Sequence, residues 1–397
     1  MGTAPNVAGG DVALPALVLK ESALGHNIAV MAAYAAQHRF ELAPHAKTTM
    51  APDIIRRQLE AGAWGITVAN VQQARVAIEA GARRALIANQ VVSQPDAAAM
   101  AELVGDGERD IYCLVDSVPG VELLEANLGA ARALRPIKVL VELGVRGGRA
   151  GTRSLDEAVD VAQAVTHCRH LSLAGVEGYE GGLGSDRSGA TIAAVDSYLR
   201  TLWQLAQRLA GQGVFAGLAP IVSAGGSKYF DRVGALLEQP GRPAGHDIRL
   251  VVRAGCYAVH DHGIYAEVSP LSAARHKPGL VPAMEVWAEV LSRPEPGLAI
   301  IGLGKRDASF DLGLPVPLRL RRASGAGTAD PGDWSLTKLD DQHGYLACGG
   351  SAAAPLALGD RIGFGLSHPC TAFDKWSVVL LVDDNYDVLD RYPTRFH

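Results

Sequence analysis

The chain has 397 residues, 48% of them hydrophobic, and a formal net charge of −5, which gives it apolar material for a large core and more length than the ~100 to 200 residues usual for one domain. An acidic balance without a basic stripe gives no electrostatic ground for nucleic-acid or membrane partners, and no apolar run reaches the ~18 residues of a membrane span. Residues Met1 to Pro15 show no basic stretch followed by an apolar run, and the five cysteines are scattered, unlike a disulfide scaffold, so a soluble cytoplasmic protein is expected.

The run Leu14 to Leu19 precedes a helical pattern from Ser22 to Gln37 and is expected to pair with a later β domain. From about residue 40 to residue 255, short aliphatic runs alternate with longer helical patterns, the signature of repeated βα units around a parallel sheet. Candidate strands fall near Phe40 to Ala43, Gly65 to Val68, Ala85 to Ala88, Ile111 to Val115, Ile137 to Leu143, Leu173 to Tyr179, Leu218 to Ser223 and Ile248 to Arg253. They number about eight, the count that closes a (β/α)8 barrel. Between them, stretches such as Pro52 to Ala61 and Val71 to Ala80 have the apolar spacing of outer-ring helices.

After about residue 275 the texture changes. Ala283 to Leu291 and Trp376 to Val382 are β-like runs, Asp383-Asp384-Asn385 is a turn signal, and Ser324 to Asp333 is expected as an exposed loop. The predicted organisation is an α/β barrel over residues 20–272 and a mostly β domain over residues 273–397, joined by roughly the first 19 residues.

In Pro44-His45-Ala46-Lys47 a strand candidate ends in a lysine two residues after a histidine, so in extended chain His45 and Lys47 project to one face. That face opens on the mouth of a barrel, where a partly desolvated amine can form a Schiff base; most lysines are surface groups all the same. Ser223-Ala224-Gly225-Gly226-Ser227 follows the seventh strand and Gly255-Cys256-Tyr257 the eighth. Both can offer backbone N–H groups to a phosphate, and phosphate sites in such barrels commonly lie there.

Arg149, in Arg146-Gly147-Gly148-Arg149, lies in a loop from which it could approach a phenolic or carboxylate oxygen, and Tyr179 closes the sixth strand with a ring that could contact a cofactor. His368-Pro369-Cys370 carries imidazole and thiolate ligands at an i, i+2 spacing. Two protein ligands are fewer than a structural zinc site needs and leave positions open, as catalytic metals do. A buried cysteine beside a histidine is the bland alternative.

Taken together, Pro44-His45-Ala46-Lys47, Gln58-Leu59-Glu60-Ala61-Gly62-Ala63, Asn89-Gln90-Val91-Val92, Ser367-His368-Pro369-Cys370-Thr371 and Phe373-Asp374-Lys375-Trp376 resemble the fold-type III pyridoxal-phosphate enzymes, in the group holding D-serine dehydratase and D-threonine aldolase. The resemblance implies an alanine-racemase-like barrel followed by a β domain, with Lys47 carrying pyridoxal 5'-phosphate. It implies a phosphate site near Gly226, Ser227, Gly255 and Cys256, and a divalent metal on His368 and Cys370, zinc in first place with manganese or magnesium as alternatives. It also implies a homodimer with the active site at the subunit interface, where Lys305, Arg306 and Asp307 are assigned across that interface by conjecture.

Within that family the dehydratases resemble this chain in using His-x-Cys, whereas the aldolases look like His-x-Asp. Cys370 therefore favours dehydration of a D-3-hydroxy amino acid to ammonia and a 2-oxo acid, and Glu180, where the aldolases place a histidine, points the same way. The alternatives are retro-aldol cleavage to glycine and an aldehyde, an amino acid racemase, and a cofactor-handling barrel without catalysis.

Overall fold

The computed structural model describes residues 4–105, 107–215, 219–238, 248–325, 328–348 and 356–396. By their internal contacts the residues divide into two compact units, one of Met31–Lys47 and Ile54–Gly255, the other of Met1–Val30, Thr48–Asp53 and Cys256–His397. Strand β1 (Ala16–Lys20) and helix α1 (Glu21–Gln37) open the chain.

The first unit contains an eight-stranded parallel sheet. Its strands are β2 (Glu41–Leu42), β3 (Ile66–Val68), β4 (Arg84–Gln90), β5 (Asp110–Val115), β6 (Ile137–Leu143), β7 (Leu171–Gly178), β8 (Ile221–Ala224) and β9 (Arg249–Val252), in the order β2-β9-β8-β7-β6-β5-β4-β3. The two ends of that order meet. His45 makes a parallel bridge with Thr67, whose N–H donates to the Pro44 carbonyl at 2.9 Å and whose hydroxyl donates to the Ala43 carbonyl at 2.6 Å. The result is a nearly closed barrel of the expected kind.

Strand alternation fills the interior. Tyr112 and Leu114, two apart on β5, join Leu86, Leu140, Ala174, Ile221 and Val251 in one buried cluster. The helices between strands begin where the sequence places polar caps: the side chains of Asn70, Ser93, Ser117, Ser154 and Ser188 each accept an N–H from the first turn of their helices.

In the second unit a ten-stranded sheet follows the path β13-β12-β16-β10-β1-β17-β18, with β11, β14 and β15 off it. These strands are β10 (Met284–Glu295), β11 (Leu298–Ile301), β12 (Val316–Arg321), β13 (Thr328–Ala329), β14 (Ser335–Leu339), β15 (Gly344–Ala347), β16 (Arg361–Gly365), β17 (Val378–Val382) and β18 (Val388–Pro393). The apolar run at Leu14 to Leu19 supplies β1, antiparallel to β10 and parallel to β17. Irregularities after Val290 and Ser292 bend β10, so that its first half pairs with β16 and its second half with β11.

The core here gathers Val18, Trp287, Leu380, Val382 and Tyr386. Beside it the buried Glu285 carboxylate is compensated by Lys20 at 3.0 Å, the Trp287 indole N–H at 3.1 Å and the Tyr386 hydroxyl at 3.0 Å. The stretch Ser324 to Asp333 is less of a loop than expected, because Thr328 and Ala329 pair with Arg321 and Leu320; residues 326–327 lie outside the described residues. Among the described residues no helix is long and apolar enough to cross a membrane.

Candidate functional site

Lys47 sits in a single 3-10 turn, Ala46–Thr48, and is exposed. The extended geometry expected for His45 and Lys47 is therefore not what the chain adopts. The ladder with β9 ends at Leu42 and the bridge to Thr67 ends at His45, and the backbone turns where pairing stops. Gly255, at the exit of β9, runs against the backbone of His45 so closely that a Cβ there would collide with it. That contact requires glycine.

His45 is held neutral: burial pushes its pKa well below the usual range, and the positive charges of Lys47, Arg253 and Arg149 push the same way. Inside the barrel Glu177 of β7 forms an ion pair with Arg253 and lies opposite Glu142 of β6 in the strand register. Burial pushes Glu177 up to about 7, with Arg253 opposing and Glu142 adding to the rise. Gln90 donates to Glu142 at 2.6 Å. Three polar atoms of this cluster, His45 Nδ1, Arg253 Nε and Glu177 Oε2, are out of reach of solvent and have no hydrogen-bond partner among the described residues.

The Gly-rich turn after β8 differs from the expectation of an open phosphate cradle. Its Gly225 and Gly226 N–H groups donate to the buried Glu180 carboxylate at 3.0 and 2.6 Å, so both already have an acceptor within the protein. Gly225 has φ +88°, a conformation that favours glycine. Ser227 of the same turn is half-buried. The exposed Arg149 guanidinium lies over the Tyr179 ring, 5.5 Å from its centroid, a cation–π contact.

In the second unit, His368 and Cys370 flank the start of a 3-10 turn, Pro369–Thr371. His368 Nδ1 lies 2.6 Å from Asp311 Oδ2. A carboxylate can only accept, so in this contact Nδ1 is the donor and Nε2 is left facing away from Asp311. Thr371 donates to the other oxygen of Asp311 at 2.9 Å.

Cys370 Sγ is 3.3 Å from Cys256 Sγ and 3.2 Å from the Thr48 hydroxyl. The Cys256 thiol, in the segment whose backbone was expected near a phosphate, contacts another thiol. Tyr257 is buried. Among the described residues no group of three or more His, Cys, Asp or Glu side chains is placed to hold a metal ion. The segment at 305–307 is a turn: the Lys305 and Arg306 N–H groups donate to the Asp340 and Asp341 carbonyls, and the Asp307 carboxylate accepts from Gly304 at 2.8 Å.

Sequence reasoning missed Glu142, Glu177, Arg253 and Asp311. The first three had a signal, a charged residue inside or closing an otherwise apolar strand run. Asp311 had none, since it lies 57 positions from His368.

The sequence model of the family described as "Alanine racemase, N-terminal domain" matches residues 19–228, more than half of the chain, and that of "Putative serine dehydratase domain" matches residues 283–382. A D-threonine aldolase of Arthrobacter sp. is 27% identical over 374 residues, covering 93% of this chain and 89% of the relative. A D-threo-3-hydroxyaspartate dehydratase of Delftia sp. is 27% identical over 371 residues, covering 90% of each. The crystal structure of D-threonine aldolase from Filomicrobium marinum superimposes with a TM-score of 0.81 at 27% identity, covering 99% of this chain and 98% of that one. With the barrel, the later β sheet and both family matches in agreement, the chain belongs to the alanine-racemase-like family of fold-type III pyridoxal-phosphate enzymes and carries a serine dehydratase domain after its barrel.

Proposed function

We propose that the protein is a dehydratase of D-3-hydroxy amino acids, dependent on pyridoxal phosphate and a divalent metal, that releases ammonia and a 2-oxo acid. A pyridoxal-phosphate-dependent lyase is the ground its named relatives share. The finer reading rests on one observation, the cysteine two residues after His368, because a thiolate and an imidazole suit a zinc-like ion and leave coordination positions for substrate.

The barrel's residues fit the cofactor. Lys47 supplies the amine, and the unpartnered His45 Nδ1, Arg253 Nε and Glu177 Oε2 are buried polar atoms that a polar, ring-shaped ligand would satisfy. With Gly225 and Gly226 committed to Glu180, the phosphate role in this reading passes to Ser227 and Gly255. Arg149 and Tyr179, stacked on each other, border the cofactor in this reading. When bound, pyridoxal phosphate supplies an electron sink for the charge left at Cα.

Lys47 Nζ is the base that takes the Cα proton, and a base on one face selects one configuration. Neutral His45 spares that amine a second positive charge next to it. His368 Nε2 and Cys370 Sγ would hold the metal, which when bound would supply Lewis acidity towards the β-hydroxyl. Zinc as the ion, a homodimer as the assembly and the cytoplasm as the location belong to the same proposal.

Treatment of the holoenzyme with a chelator is expected to abolish ammonia release from D-serine while the cofactor's visible absorbance persists. Undiminished turnover in metal-free protein would remove the metal from the reaction. A second reading, retro-aldol cleavage to glycine and an aldehyde, is favoured by the two D-threonine aldolases among the relatives.

A further inference from the structure

We infer that Asp311 is a positioning residue for the metal site, holding His368 in the one tautomer and orientation in which Nε2 can ligate. This rests on the reading of His368 and Cys370 as metal ligands. Both oxygens of the Asp311 carboxylate are engaged. Asp311 Oδ2 accepts from His368 Nδ1 at 2.6 Å, and Oδ1 accepts from the Thr371 hydroxyl at 2.9 Å, which itself lies 3.3 Å from Nδ1.

A carboxylate tethered at both oxygens cannot rotate away, so it fixes the ring as well as its proton. Charge-assisted bonds of this length are among the strong ones. An imidazole whose Nδ1–H is held by a carboxylate is also a more basic ligand at Nε2, the arrangement that general metal-site chemistry places behind histidine ligands.

The loop that carries Asp311 is itself pinned. Ser367, the residue before His368, donates its hydroxyl to the Gly313 carbonyl at 2.7 Å, so residues 311–313 and 367–371 are joined on either side of the imidazole. Ser367 is buried and packs where a Cβ on Gly263 would collide with it. His368, by contrast, keeps 19% of its side chain exposed and Asp311 44%. That exposure leaves the carboxylate little structural reason to be there, because an exposed ion pair contributes little to folding.

The test is metal affinity, measured by competition between the purified protein and a chromogenic chelator for zinc, on wild type, Asp311→Ala, Asp311→Asn, His368→Ala and Cys370→Ala. Asp311→Ala is expected to weaken zinc binding about 10- to 100-fold, with Asp311→Asn, whose amide oxygen still accepts from Nδ1, in between. The melting temperature of the metal-free protein is expected to stay unchanged in both. Loss of zinc in His368→Ala and Cys370→Ala alongside wild-type affinity in Asp311→Ala would overturn the role of Asp311 alone. Wild-type affinity in His368→Ala would overturn the ligand assignment and the positioning role with it. A fall in the metal-free melting temperature of Asp311→Ala with no change in zinc affinity would make the contact structural.

Discussion

Glu177 is a carboxylate enclosed in a barrel, and its pKa of about 7 against a usual 4.5 is caused first by burial. A folded state that raises a carboxyl's pKa favours its protonated form. The stabilisation from that group is complete below pH 4.5 and is lost as the pH rises towards 7. Glu177→Gln keeps the shape and removes the titration. The variant's melting temperature relative to wild type is therefore expected to climb between pH 5 and pH 8, and parallel pH profiles would show that Glu177 is ionised throughout. At this scale the sequence was half legible. Lys47, His368 and Cys370 stand out as candidates by residue type and neighbours. Glu177, Arg253 and Glu142 hide within apolar strand runs, and Asp311 reaches His368 only through the fold.

All eight barrel strands could be read from apolar runs, because a strand covered on both faces must be apolar throughout. Their ends could not, because a strand stops where its hydrogen-bond partner stops. β2 is reduced to Glu41–Leu42, His45 is held by a lone bridge to Thr67, and Lys47 falls in a turn. The same rule explains why Thr328 and Ala329, read as loop, become a strand beside β12. The junction of β2 and β9 depends on Gly255. The three atoms nearest a Gly255→Ala methyl are all His45 backbone, and overpacking of this kind costs about 1–3 kcal/mol. Urea titration is expected to show that loss, and a variant as stable as wild type would mean that this junction yields.

For the whole molecule, the family follows from agreement between barrel, later β sheet and two sequence-family matches. The reaction is a finer matter, since relatives of equal identity, 27%, include both an aldolase and a dehydratase. The difference is chemical: an aldolase breaks Cα–Cβ and a dehydratase breaks Cβ–O, and the proposal of the second rests on Cys370. From the sequence come Lys47 as the proposed cofactor lysine and His368 and Cys370 as the proposed ligands. What lay beyond the sequence was which side chains the fold brings together, Glu180 with the Gly225–Gly226 turn and Asp311 with His368. Product analysis on D-threonine, with cofactor and zinc both loaded, bears most directly on the central claim. A dehydratase yields 2-oxobutanoate and ammonia in equal amounts with no glycine, and glycine with acetaldehyde as the products would contradict the proposed reaction.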